Sequence, residues 1–300
     1  MSAPVLGAAP AGARRRLPGV GRIAARLPRG AAGPILALAL LAVAAAIGPA
    51  VVAAAGGGDP TAIGDVLAAR LVPPLARDDA GRLHLLGTDR FGRDLLARSL
   101  VAARLSLLVG VLGSLLSGAL GLAAGALAGW RGGLADGAIT AFADALLAVP
   151  RIVLLLVVAA LWGPGAGTTV LVLALTGWMG VARLVRAEVL GVRQRGHVEA
   201  ARALGASPAR LLWRHVVPNA LGAATVATTL GVGNAILLES GLSFLGLGVQ
   251  PPAPSWGNLI AGGRELIVTA PWVSLVPGLL LVATVLACTR LGDALEGRGL

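Results

Sequence analysis

Three hundred residues, 56% hydrophobic and only 13% charged, give a mean hydropathy of +0.84; a soluble domain carries roughly a quarter charged residues, so this composition belongs in a bilayer. All 25 basic residues are arginine, which excludes a standard Walker A loop, whose lysine holds the terminal phosphates, and excludes lysine Schiff-base chemistry. The net charge of +11 raises nucleic acid as a partner, but the placement of the arginines argues for membrane topology instead.

A hydrocarbon core about 30 Å thick takes roughly 20 apolar residues as helix. Residues 1–30 hold Arg14, Arg15, Arg16, Arg22, Arg26 and Arg29 and no acid, which predicts a cytoplasmic tail. The charge-free run that follows predicts span 1 at about 33–55. It is longer than the roughly 7–15 apolar residues of a cleaved signal, so it reads as an anchor. The segment 56–104 nearly balances its charges, with seven arginines against six aspartates, and is expected outside. Within it stand Leu86-Gly87-Thr88-Asp89, Gly92-Arg93-Asp94, Arg98 and Ala103-Arg104-Leu105-Ser106-Leu107. Thr88 or Asp89 is expected to cap a helix, and Arg90, Arg93 and Asp94 to form a charged turn ahead of span 2, about 105–128.

The uncharged run 152–182 is too long for one crossing, about 46 Å as helix, and Gly163-Pro164-Gly165-Ala166-Gly167 divides it. The front piece alone is too short. Span 3 is therefore expected to reach back through Pro150 to about Ala138, covering 138–162, with span 4 at 168–182. On a continuous span 3, Asp144 and Arg151 would share one face, roughly 10 Å apart. Ionisable groups inside a span usually face a bundle interior or water, so both are candidates for lining a pathway.

Residues 183–214 carry seven arginines against Glu188 and Glu199 and are expected in the cytoplasm. Inside the polar loop 191–218, Ala200, Ala201, Ala203 and Leu204 favour helix. Gly205 supplies a left-handed stop, and Ser207-Pro208 reads as an N-cap followed by proline at the first helical position. Leu211, Leu212 and Val216 give the second helix an apolar side, and Pro218 marks its junction with span 5, about 217–238. From the residues alone, a docking surface and a solvated basic loop fit equally well. In the stretch Leu238 to Ile260, Gly241, Gly246 and Gly248 allow close packing or a re-entrant turn. Pro251, Pro252 and Pro254 forbid a continuing helix. Irregular backbone at membrane depth needs protein or a cavity around it, so Glu239 and Phe244 are candidates for a gate at the outer mouth. Span 6 follows at about 266–289. Six spans with both termini inside satisfy every arginine bias at once. That accounts for the basic charge without nucleic acid. Cys288 reads as a small core residue, and His84, His197 and His215 lack ligand spacing, so no metal or cofactor site is expected. No nucleophile–base constellation points to an enzyme.

Glu199-Ala200-Ala201, Gly205 and Pro218 resemble the EAA loop of permeases in ATP-binding-cassette importers. The string 86–107, the stretch 238–260 and Leu291-Gly292-Asp293-Ala294-Leu295 resemble the dipeptide, oligopeptide and nickel importer family, in family order over about 30–295. The resemblance implies an all-α membrane protein of six transmembrane helices, type I ABC importer-like, with a cytoplasmic coupling-helix loop, in one permease domain spanning 31–300. It implies a second, C-type permease subunit in the cell membrane, forming a pathway for peptides or related small solutes, nickel chelates among them. Its implied partners are a homologous permease, two ATPase subunits that hydrolyse ATP, an extracytoplasmic solute-binding protein and membrane lipid. Glu199, Ala200, Ala201, Gly205 and Pro218 would be the ATPase-docking residues. The main rival is an ion-coupled secondary transporter acting alone. It would need paired half-helix sites or intramembrane acids, often with internal repeats, and only Asp144 stands well inside a span. A scaffolding membrane protein is the other.

Overall fold

The computed structural model describes residues 30–54 and 66–297; the basic tail ahead of Gly30 lies outside the described residues. Helix α1 (Ala32–Val52) leads through a short α2 (Val66–Ala69) to a two-stranded hairpin, β1 (Ala76–Arg77) antiparallel to β2 (Leu83–His84), with Ala76 opposite His84. Helices α3 (Leu95–Arg131), α4 (Gly133–Leu147), α5 (Arg151–Trp162) and α6 (Ala166–Arg193) follow. The polar loop forms α7 (Gly196–Ala203) and α8 (Pro208–Leu211), and a π turn at Leu212–Val216 joins α8 to α9 (Val217–Phe244). A short α10 (Trp256–Gly262) and α11 (Trp272–Glu296) complete the chain.

Five helical stretches among the described residues are long and apolar enough to cross a bilayer: α1, α3, α6, the continuous Pro208–Phe244 and α11. The pair α4–α5 meets the same test only when taken together, and it is bent by 90°. Large apolar side chains point outward at helical spacing, Leu36, Leu40, Val43, Ile47 and Val51 on α1 and Leu275, Leu279, Val282 and Leu286 on α11. Such faces would be a liability in water and are at home in lipid.

Helix α3 is the axis of the bundle and packs against α6, α9 and α1. Gly121, Gly125 and Gly129 stand four apart on the side facing α6. A methyl at Gly121 would come 2.7 Å from the Trp178 carbonyl oxygen, and one at Gly129 2.8 Å from Val189 Cγ1. At Gly125 it would strike the Ala182 carbonyl, which is backbone and cannot step aside. Small residues thus let two spans approach to backbone contact. Gly125→Leu is expected to cost about 3 kcal/mol by overpacking, read as a lower thermal midpoint of the detergent-solubilised protein. Gly137→Leu, where a Cβ meets nothing within 4 Å, should leave that midpoint unchanged.

Proline chemistry decides two further points. Pro49 sits inside α1 and donates no hydrogen bond, so the carbonyl four residues back, that of Ala45, loses its helical donor. Arg104 of α3 supplies the substitute: its Nε donates to Ala45 O and its Nη2 to Ala46 O. Pro150 corrects the expectation of one continuous span over 138–162. The helix stops at Leu147, Pro150 is extended (ψ 125°), and α5 restarts at Arg151. Helix α4 turns away because α6 holds it there. Asp136 pairs with Arg186, Asp144 with Arg183, and the Phe142 and Trp178 rings stack 6.1 Å apart. The expected shared face for Asp144 and Arg151 is therefore absent: they belong to two helices at right angles. Helix α6 itself runs on to Arg193, well past the apolar run 168–182.

Candidate docking surface and polar pathway

The loop between α6 and α9 is built on three anchors. Val198 of α7 and Leu211 of α8 are buried among Val185, Val189, Val192 and Val216. Arg193 Nη1 donates to the Gly129 carbonyl at the end of α3 (2.7 Å), and its guanidinium lies 5.5 Å from the Trp130 ring centroid. Arg195 pairs with Glu188 at 3.1 Å. Helix α7 ends in a full Schellman motif: Gly205 N–H donates to Arg202 O (3.0 Å) and Ala206 N–H to Ala201 O (3.1 Å). Gly205 carries φ +83°, a conformation that burdens any residue with a Cβ. The reversal is followed at once by Ser207, whose hydroxyl accepts from the Arg210 N–H, and by Pro208 at the first helical position.

The result is a rigid elbow whose outer face is free. Glu199, Ala200 and Gly205 are exposed and Ala201 is half-buried, packed against the apolar core of the elbow. Leu204 (88% exposed) and Trp213 (70% exposed) stand beside Arg202, Arg210 and Arg214. Pro218 lies one residue into α9, directly after the π turn. The rings of His197 and His215 come within 6.2 Å of each other. Among the described residues no group of three His, Cys, Asp or Glu side chains could hold a metal ion.

The opposite end of the bundle is organised by the string 86–107. Asp94, rather than Thr88 or Asp89, caps α3, accepting from the Ala97 N–H at 3.0 Å. Thr88 instead stitches the segment together, donating to Ala69 O, accepting from Val72 N–H, and offering its carbonyl to Trp272 Nε1. Asp89 closes its own turn by accepting from the Phe91 and Arg93 N–H groups and pairs with the Arg93 and Arg98 guanidiniums. His84 bridges two buried carboxylates, Nδ1 to Asp94 at 2.9 Å and Nε2 to Asp78 at 3.4 Å. Sequence reading missed this bridge, since no local spacing joins residues that only the hairpin brings together.

Burial pushes the Asp78 carboxyl up, but hydrogen bonds from the Arg82 backbone and side chain and from His84, with the Arg82 charge, outweigh it and hold the carboxyl below its usual 3.8. The folded state therefore binds this proton less readily than the unfolded chain. The stabilisation is complete above the ordinary value and is lost as the pH falls below it. Pepsin nicking of the hairpin is expected to rise steeply over that acid range, and Asp78→Asn should be cut readily without the steep rise.

In the stretch 238–260 the backbone turns back into the protein. Glu239 is fully buried and accepts from Ser106 (2.9 Å), Ser243 (2.7 Å) and Ser240 (3.3 Å). Ser106 also accepts from the N–H of Trp256, whose indole is fully buried and donates to Ser99 O. Ser255 and Asn258 form a capping box that starts α10. Side chains at Gly248 and Gly257 would collide with the backbone of Ser243 and Ser240, so these glycines permit the re-entry; Gly241 meets nothing within 4 Å. Phe244 is 38% exposed at the end of α9. Of the charged span residues, Asp144 is half-exposed in its pair with Arg183. Arg151 reaches across to α6, where Nε donates to Thr176 Oγ1 (3.4 Å) and Nη2 to Leu173 O (3.5 Å). It lines a cavity of about 210 Å³ between α3, α6 and α9.

The family described as binding-protein-dependent transport system inner membrane component matches residues 121–298. A protein of Brucella suis biovar 1 (strain 1330) described as a peptide permease protein is 45% identical over 71% of each chain. The di/tripeptide transport system permease protein DppC of Pseudomonas aeruginosa (strain UCBPP-PA14) is 40% identical over 75% of each chain. The oligopeptide transport system permease protein OppC of Bacillus subtilis (strain 168) is 37% identical over 71% of this chain and 70% of its own. In fold, the chain is similar to the inward-facing MetNI methionine ABC transporter, with TM-score 0.54 and 22% identity over 66% of this chain and 93% of that one. A crystal structure of an amino acid ABC transporter with histidines gives TM-score 0.54 at 16% identity, over 67% and 94%. These matches agree with the multi-pass helical bundle and its exposed elbow: the chain belongs to the family of binding-protein-dependent transport system inner membrane components and has the type I ABC importer permease fold.

Proposed function

We propose that this chain is the second permease subunit of a peptide importer. It pairs with a homologous permease, two ATPase subunits grip the elbows of the pair, and an extracytoplasmic binding protein delivers cargo at the hairpin end. The observation that carries this reading is the exposed elbow α7–α8, which presents the Glu199 and Ala200 side chains to the outside while Val198, Leu211, Arg193 and the turn at Gly205 hold its fold. The seven arginines of residues 183–214 favour the cytoplasm for that end, and the six arginines of residues 1–30 favour it for the N-terminal tail. The segment 31–300 acts as one permease domain. Glu199 offers a carboxylate to an ATPase arginine, and the small alanines let the partner approach closely. Peptide cargo is supported by the names of three relatives, each of which names a peptide permease.

The mechanism is alternating access. ATP draws the ATPase pair together, the elbows move with them, and the bundle exchanges an inward-open for an outward-open state. The energy comes from the differential affinity of the two states for ATP and for the loaded binding protein. Asp144 and Arg151 belong to the pathway side of the bundle. Glu239 and Phe244 belong to the outer gate, Glu239 by bracing the re-entrant segment. The test is uptake of a labelled tripeptide by proteoliposomes holding the complete importer. Uptake is expected to require ATP, the ATPases and the binding protein together. Uptake driven by a proton or sodium gradient in their absence would establish the secondary-transporter reading instead.

A further inference from the structure

We propose that the cavity between α3, α6 and α9 is a carboxylate-binding site that receives the C-terminal end of a peptide in transit, with Arg151 as its cation. The proposal rests on the reading of the chain as a peptide permease. The cavity lies at mid-span, lined by Ser114 and Ser117 from the middle of α3, Thr228 and Asn234 from the middle of α9, and Arg151 from the start of α5.

Arg151 differs from its neighbours in how its charge is met. Arg183 and Arg186 have carboxylate partners in Asp144 and Asp136. Among the described residues no carboxylate pairs with Arg151. Its two hydrogen bonds go to neutral oxygens at 3.4 and 3.5 Å, the weak end of the range. A guanidinium stays charged in a protein and offers five N–H donors, so most of its capacity is unspent. Charge inside a span is costly and is found where it has work to do.

The floor of the cavity is kept clear for this group. A side chain at Gly177 would meet Ser117 Oγ and lie 2.9 Å from Arg151 Nη2, and one at Gly231 would lie 2.7 Å from Ser114 Oγ. Ser114 is already committed to the Thr228 carbonyl, which leaves Arg151 and the Ser117, Thr228 and Asn234 side chains as donors. The lining has no acidic side chain. It therefore suits an anion and repels none, whereas a bare metal cation or a peptide ammonium group finds no counter-charge. A fork-shaped guanidinium takes a carboxylate through two parallel hydrogen bonds. A cavity of about 210 Å³ accommodates one end of a peptide, not the whole of it.

Cys288 is the only cysteine, so Ser117→Cys in a Cys288→Ala background gives a single reporter thiol. The complete importer in detergent, without nucleotide, is labelled with a maleimide in the presence of millimolar trialanine or of trialanine C-terminal amide. Trialanine is expected to slow labelling about tenfold, the size of one charge-assisted contact, and the amide to have little effect. Arg151→Met should abolish the protection and Arg151→Lys should retain part of it. Equal protection by the acid and the amide, protection that survives Arg151→Met, or no protection by either peptide overturns the carboxylate site while the labelling itself leaves the pathway reading standing. A thiol that no maleimide reaches in any nucleotide state overturns the pathway reading and the site with it. Should Arg151→Met fail to fold, the comparison of acid with amide decides alone.

Discussion

Gly205→Val is expected to abolish ATP-driven uptake and copurification of the ATPases while leaving membrane insertion near wild type. The position has φ +83° and open space where a Cβ would stand, so the change meets no steric neighbour. Its whole effect falls on the backbone. A β-branched residue held in the left-handed region costs about 2 kcal/mol or more, comparable with what the two hydrogen bonds of the Schellman motif contribute. The turn opens, α8 loses its direction, and the exposed faces of α7 and α8 no longer form one surface. The spans, packed through α3, are untouched. Copurification of the ATPases in normal amount with Gly205→Val would contradict the docking role. A milder expectation attaches to Glu199→Gln, which keeps the fold and removes only the charge offered to a partner.

The second large effect is expected at Glu239. Its carboxylate is the acceptor for three serine hydroxyls, and one of these, Ser106, also accepts from the start of α10. Glu239→Ala removes the centre of that network and leaves several buried donors without a partner. A loss of about 3 kcal/mol is expected, with the re-entrant segment 245–262 loosened first. Glu239→Gln keeps one carbonyl acceptor and should recover part of the loss. Protease cutting within 245–255, followed in the purified complex, separates the two variants. ATPase copurification should survive in both, because the elbow lies at the other end of the bundle. Unchanged resistance in Glu239→Ala would show that the hydroxyls do not depend on it.

The elbow was the most legible part of the chain because its instructions are local. Gly205, Ser207 and Pro208 each impose a backbone conformation on their own neighbourhood, and the structure realises all three. The run lengths of apolar residues likewise gave the long helices. What stayed illegible depends on residues far apart. Length arithmetic favoured a helix through Pro150, but Asp136, Phe142 and Asp144 bind α6 some 36 to 50 positions away and turn α4 aside. The cap of α3 fell to Asp94 because the neighbouring candidates were taken, Thr88 by α2 and Asp89 by its own turn. His84 looked idle in the sequence, and its two aspartates reach it only once the hairpin has folded. Arg104 had no evident role until the carbonyl released by Pro49 was seen to need a donor. The sequence offers Glu239 as a gate candidate but not its surroundings: three serine hydroxyls from α3 and its own helix, which only the folded bundle brings to it.

The clamp of Arg193 on the last turn of α3 has a mechanical consequence. Because the guanidinium holds both a main-chain oxygen and an indole face, a push on the elbow arrives at α3 without slack. At 37 residues that helix is a rod of about 55 Å, so a tilt of only about 5° at the clamped end sweeps the other tip through about 5 Å. That tip carries Asp94, the His84 bridge and the hairpin. On the docking reading proposed above, a stroke delivered at the elbow would reach the far membrane surface by leverage along this one helix.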